Sequence, residues 1–244
     1  MSEEDCIKWH PCIKKMIKIF VSLWRWLFSL YPIEKSESKT PHDMLLDSMR
    51  STASCRFNAS VRLKYLNNFS LFTATYLSLG LILIPLIQNT DIHLHFYPKV
   101  LNLMQVFLAV AVLVYSTINA TARYDARSIA LNECGDKVKD LIRILRAKST
   151  EKDILITIQE RYNDAVKDSE NHTRLDYLKY MLEKTKDFHI TGLKRFWYII
   201  KSYMQSLFPF FLPTLMILIE TIFILDMVGV TGILPMYLGG VPPQ

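Results

Sequence analysis

RFNASVRLKYLNNFSLFTATYLSLGLILIPLI, residues 56–87, passes from a stretch carrying Arg56, Arg62 and Lys64 into one with no charge at all. The uncharged run covers positions 65–90, 26 residues. A helix needs about 20 mostly apolar residues to cross a bilayer. Two further uncharged runs follow, 23 residues at 100–122 and 18 at 202–219. The chain therefore reads as an all-α membrane protein built on a two-span helical hairpin, with a third span near its end. This patterning argues against a purely soluble fold, and the composition, 50% hydrophobic and 21% charged, is too apolar for a disordered chain.

Outward from the hairpin, the charges set the expected topology. Segment 1–67 holds 11 Lys/Arg and segment 120–206 holds 17, whereas the link between the first two spans holds only Lys99. The positive-inside rule places the N-terminal region and 120–206 in the cytoplasm, the link outside and, if the third run spans, the C-terminus outside. The first span covers about 69–87, and Thr73, Thr75, Ser78 and Gly80 suit close helix contacts in lipid. The second covers about 100–118 and contains Asn102 and Gln105. No proline or glycine intervenes before Gly135, so this helix is expected to run on unbroken.

Beyond the membrane, Leu131, Cys134, Val138, Leu141 and Leu145 repeat three and four apart. Leu131, Val138, Leu141 and Leu145 are the candidate seam of a homo-oligomer. A helix is expected over 151–167 and another over 173–187, the latter capped by Thr173 with Asp176 three residues on. In the third run Pro209 and Pro213 come early and Glu220 lies inside the apolar sequence. An intramembrane carboxylate is costly and is by default a functional candidate. Glu220, Asn102 and Gln105 are accordingly the candidate pore-lining residues. Lys99 is the basic residue expected within reach of Asp226.

Segment 7–31 places Lys14, Lys15, Lys18, Ser22, Arg25 and Ser29 on one helical stripe opposite an aliphatic and aromatic face. Such a helix suits the surface of an anionic membrane. Lys14, Lys15, Lys18, Trp24, Arg25 and Trp26 are the candidate membrane-surface residues. The expected organisation is an interfacial helix at 1–32, a linker at 33–43, the hairpin with its cytoplasmic helices at 44–192, and a hydrophobic C-terminal segment at 193–244.

Signs of catalysis are missing. There is no P-loop, GxGxxG, GxSxG or HExxH pattern, and only 7 glycines. Cys6, His10 and Cys12 fit no standard zinc spacing, and His93 and His95 lie in the short link. No catalytic residue, metal or cofactor is expected.

Arg56-Phe57-Asn58-Ala59, followed by Arg62-Leu63, resembles the approach to the first span of the SLATT domains, the two-span effectors associated with SMODS and SLOG proteins of bacteria. TARYDARSIALNECGDKVKDLIRIL after the second span is similar to that family's post-membrane helix. ENHTRLDY, Glu170 to Tyr177, followed by an aromatic third hydrophobic stretch, resembles the fifth SLATT family, often encoded beside reverse transcriptases. The resemblance covers roughly 44–225. It implies an anti-phage effector in the bacterial inner membrane that oligomerises and breaches the bilayer once a cytoplasmic partner, such as a reverse transcriptase, senses infection. A membrane anchor that recruits a soluble partner, a reverse transcriptase or nucleic-acid complex, is the alternative. Whether a nucleotide or nucleic acid binds is left open.

Overall fold

The computed structural model describes residues 15, 18–27, 40–90, 94–147, 152–184, 188, 190–234 and 237. Among them the fold is all α. Six helices follow in order: α1 Pro41–Gln88, α2 Pro98–Ala122, α3 Tyr124–Ala147, α4 Lys152–Lys167, α5 Arg174–Glu183 and α6 Gly192–Val228. A further helical stretch covers 18–27. Three helices are long and apolar enough to cross a membrane, Pro41–Gln88, Pro98–Ala147 with α2 and α3 taken together, and Gly192–Val228.

The expected segments appear with shifted ends. α1 is a single helix of 48 residues, so the segment before the first span and the span itself are continuous. It begins at Pro41, inside the stretch read as linker. The Thr40 hydroxyl accepts the Asp43 N–H at 3.2 Å and donates to the Asp43 carboxylate at 2.7 Å, which caps the first turn, and Pro41 supplies a helical φ without needing a donor. The post-membrane helix, by contrast, is not unbroken. Arg123 adopts φ 47°, ψ 42° and separates α2 from α3. The Ala122 carbonyl, orphaned there, accepts the Arg127 guanidinium at 3.2 Å. The break occurs without a proline or glycine, and the Arg127 side chain satisfies the carbonyl it leaves.

The chain divides into two compact units, 1–59 with 131–206 and 60–130 with 207–244. The first has a core of Leu46, Met49 and Ala53 from α1, Cys134, Val138, Leu141, Ile142 and Leu145 from α3, and Ile158 and Ala165 from α4. Polar pairs tie these helices at fixed register. Thr52 and Tyr162 share a hydroxyl contact of 2.7 Å, and the Cys134 thiol points at the Ala165 carbonyl at 3.2 Å. Gly135 admits Phe57, since a Cβ there would stand 2.9 Å from the ring. The expected cap on α5 is present, with the Asp176 carboxylate accepting the backbone N–H and the hydroxyl of Thr173 at 2.9 and 2.6 Å.

This core corrects the role expected for the seam. Leu131 and Val138 are fully buried, and Leu141 and Leu145 nearly so, all within one chain. The heptad-like spacing is used against α1 and α4, not against a second copy. The sequence fixes that an apolar stripe must be covered. It does not say by what, and two helices of the same chain are covalently at hand.

Burial also sets the chemistry of Cys55, which is 1% exposed. Desolvation, reinforced by the Asp176 charge and opposed by Arg56, pushes its thiol up to about 11. Thiolate is the reactive form, so Cys55 stays inert near neutral pH. A maleimide is expected to leave Cys55 unmodified in the folded protein and to label it in denaturant, as read by peptide mass.

The second unit packs Leu77 and Ile84 of α1, Leu101 and Leu108 of α2, and Phe223 and Met227 of α6, with Phe96 from the link. The Phe96 and Phe223 rings stack at 5.0 Å and 4°. Thr73, Leu77, Gly80 and Ile84 form the inward ridge of α1, spaced four, three and four. The hydroxyls of Thr73, Thr75 and Ser78 donate to carbonyls four residues back in their own helix, at 2.8, 2.9 and 2.7 Å. They are thereby neutral towards lipid, and what they supply to packing is small size. The outer faces carry Phe72, Leu79, Ile82 and Leu86 on α1, Leu103, Val106, Val110 and Leu113 on α2, and Phe208, Phe211, Leu212 and Leu218 on α6, all exposed. Such a surface is unfavourable in water and matches hydrocarbon.

Candidate functional site

The inward ridge of α1 meets α6 at its smallest residue. Glu220 is fully buried, and its carboxylate occupies the space that a Cβ at Gly80 would take. One turn earlier, the Tyr76 hydroxyl lies 2.8 Å from that of Thr221, and Thr221 itself donates to the Ile217 carbonyl at 2.7 Å. This pair fixes the rotation of α6 against α1 and so directs Glu220 into the notch at Gly80. Neither Glu220 oxygen has a hydrogen-bond partner among the described residues. A polar group removed from water without a partner costs roughly 2–7 kcal/mol, and a charged one more. Packing, rather than a hydrogen bond among the described residues, therefore holds the carboxylate where it is.

The other pore-lining candidates do not join it. Gln105 donates to the Gln88 side chain at 2.7 Å. Gln88 lies eight residues beyond Gly80 on α1, a rise of about 12 Å. Asn102 is exposed on α2. The three thus occupy a buried notch, an interhelical bond and an outer face, and they line no common surface in one chain. The sequence shows that each is a polar residue within an apolar run, and not the direction in which it points.

Asp226 is also buried, and for another reason than the one expected. It accepts the Thr231 hydroxyl and the backbone N–H groups of Ile233 and Leu234, the latter two at 3.2 and 2.6 Å. No ion pair joins it to Lys99 among the described residues. The carboxylate folds the turn after α6 back on itself. Gly229 makes this turn with φ 83°, and a Cβ there would overlap the His95 ring.

Of the membrane-surface candidates, Lys14 lies outside the described residues. Lys15, Lys18, Trp24, Arg25 and Trp26 are exposed. The stretch 18–27 is held at its end, where Thr191 donates to the Trp26 carbonyl at 2.6 Å and Gly192, with φ 57°, lets the backbone of Leu27 come close. Cys6, His10, Cys12 and His93 also lie outside the described residues. Among the described ones no group of three or more His, Cys, Asp or Glu is placed to hold a metal ion.

In the first unit two of the motifs that carried the family resemblance meet. Asn58 donates its side-chain amide to the Asp176 carbonyl at 3.4 Å. Arg56 is 1% exposed, and its Nε and Nη1 have no hydrogen-bond partner among the described residues. Its charge acts on His172, whose pKa is lowered below the ordinary 6.5 by burial first and Arg56 second. No local pattern marks Arg56 as buried, because a flanking arginine ordinarily marks the membrane edge. The family described as SMODS and SLOG-associating 2TM effector domain family 5 matches residues 38–225. The chain belongs to this family. As a SLATT member it is a defence-associated membrane effector, and the match takes in most of α6 as well as the hairpin. Residues 1–37 fall outside it. No curated protein and no solved structure matches the chain.

Proposed function

We propose that this SLATT protein is a non-enzymatic effector that permeabilises the bacterial inner membrane as a homo-oligomer. In this reading the N-terminus and the first unit face the cytoplasm, where a sensor such as a reverse transcriptase acts on them. The observation that carries it is Glu220, an unpartnered carboxylate packed against Gly80 in the membrane-spanning unit. A group so placed favours any rearrangement that brings it to water, and activation that separates α6 from α1 does so. In a ring of subunits the released carboxylates form a negatively charged band that favours cations. Three spans are too few to enclose a channel, so several copies are required, and the exposed apolar faces of α2 and α6 are the surfaces on which they meet. The test is ion flux from liposomes holding the purified protein, with and without its activating partner. Partner-dependent cation flux is expected. Sealed liposomes under both conditions, together with recruitment of the partner to the vesicles, would establish the anchoring function instead.

A further inference from the structure

On the first unit a cavity of about 560 Å³ opens between α5 and α6. Among its lining residues are His172, Thr173 and Arg174 at the start of α5, and Tyr198, Lys201 and Gln205 on α6. It gathers two permanent cations and no carboxylate. The nearest acid in sequence, Asp176, is fully buried and engaged by Thr173. Nδ1 of His172, one of the lining residues, is buried without a hydrogen bond among the described residues.

The position of the cavity along α6 selects the kind of anion. Lys201 is the last basic residue of the chain, and the uncharged run 202–219 begins directly after it. Gln205 lies within that run, one turn on. Trp197 and Tyr203, on either side, are 64% and 67% exposed, as aromatic residues are at a membrane boundary. A basic pocket at the level where a span leaves the bilayer is placed for a lipid headgroup.

We propose that this cavity binds the phosphate of an anionic phospholipid, with Arg174 and Lys201 as its charged ligands. A phosphodiester with a small, uncharged headgroup fits the site: its phosphate carries one negative charge, and the guanidinium fork and the ammonium satisfy its oxygens. Choline lipids carry a compensating cation for which the cavity has no carboxylate. The site is distinct from the exposed stripe of Lys15, Lys18 and Arg25, and it does not depend on permeabilisation.

The test is native mass spectrometry of the full-length protein in mild detergent, titrated with phosphatidylglycerol or phosphatidylcholine. Wild type is expected to retain phosphatidylglycerol at least tenfold better than phosphatidylcholine. Arg174→Gln with Lys201→Gln should lose that preference, while Lys15→Gln, Lys18→Gln and Arg25→Gln together should keep it. If the double variant does not fold, Lys201→Gln alone is read, with at least a threefold loss expected. Equal retention of the two lipids by wild type, or undiminished retention by the variant, would overturn the proposal. Displacement of phosphatidylglycerol by millimolar inorganic phosphate would overturn it too, by assigning the cavity to a soluble phosphate compound.

Discussion

Glu220→Met is expected to make the protein more stable in detergent and, on the permeabilisation proposed above, to abolish partner-dependent flux. Methionine matches the length of glutamate and brings no group that needs a hydrogen bond. The unsatisfied carboxylate is removed at little cost in packing, so the expected gain is about 1–3 kcal/mol. Gly80→Ala distinguishes this cause from a general improvement of the helix. In an ordinary helix interior that change stabilises by about 1 kcal/mol. Here the new Cβ falls on the Glu220 carboxylate. In the wild-type background alanine should therefore expel Glu220, lower stability and raise flux without the partner. In the Glu220→Met background it meets an uncharged, flexible chain, and both effects should shrink. Thermal midpoints and liposome flux for the four proteins complete a double-mutant cycle, with a coupling of roughly 0.5–3 kcal/mol expected. Flux from Glu220→Met at the wild-type level would remove the carboxylate from the permeation mechanism.

Val138→Asp unfolds the first unit. Val138 is fully buried among Leu46, Met49 and the residues of α4. A carboxylate placed there has no cation to meet and costs about 3–5 kcal/mol, as an uncompensated buried charge does. The expected result is loss of the cooperative transition of the first unit and rapid proteolysis, with the spanning helices still inserted. The same substitution at an exposed neighbour on α3, Ile144→Asp, should be tolerated. A folded Val138→Asp protein altered only in oligomer size would return the seam to the subunit interface and contradict the packing described above.

What the amino-acid sequence determines here is what depends on one dimension. The uncharged runs give the spans, because a bilayer selects for length and apolarity whatever the neighbours are. The helix over 152–167 and the Thr173 cap follow from local periodicity and local hydrogen bonding. The family, too, is legible from ordered motifs, since RFNA, the post-membrane helix and ENHTRLDY keep their order along the chain. The tertiary structure alone decides direction. Glu220, Asn102 and Gln105 are alike in the sequence as polar residues within apolar runs, yet each faces something different, because rotation about a helix axis is set by contacts such as Tyr76 with Thr221. The seam on α3 demands cover, and only the fold shows that α1 and α4 supply it. Arg123 breaks a helix without a proline or glycine, and Arg127 satisfies the carbonyl exposed there. Arg56 looks like a membrane-edge anchor and is buried beside the loop before α5, brought there by a helix of 48 residues whose far partners no local pattern records.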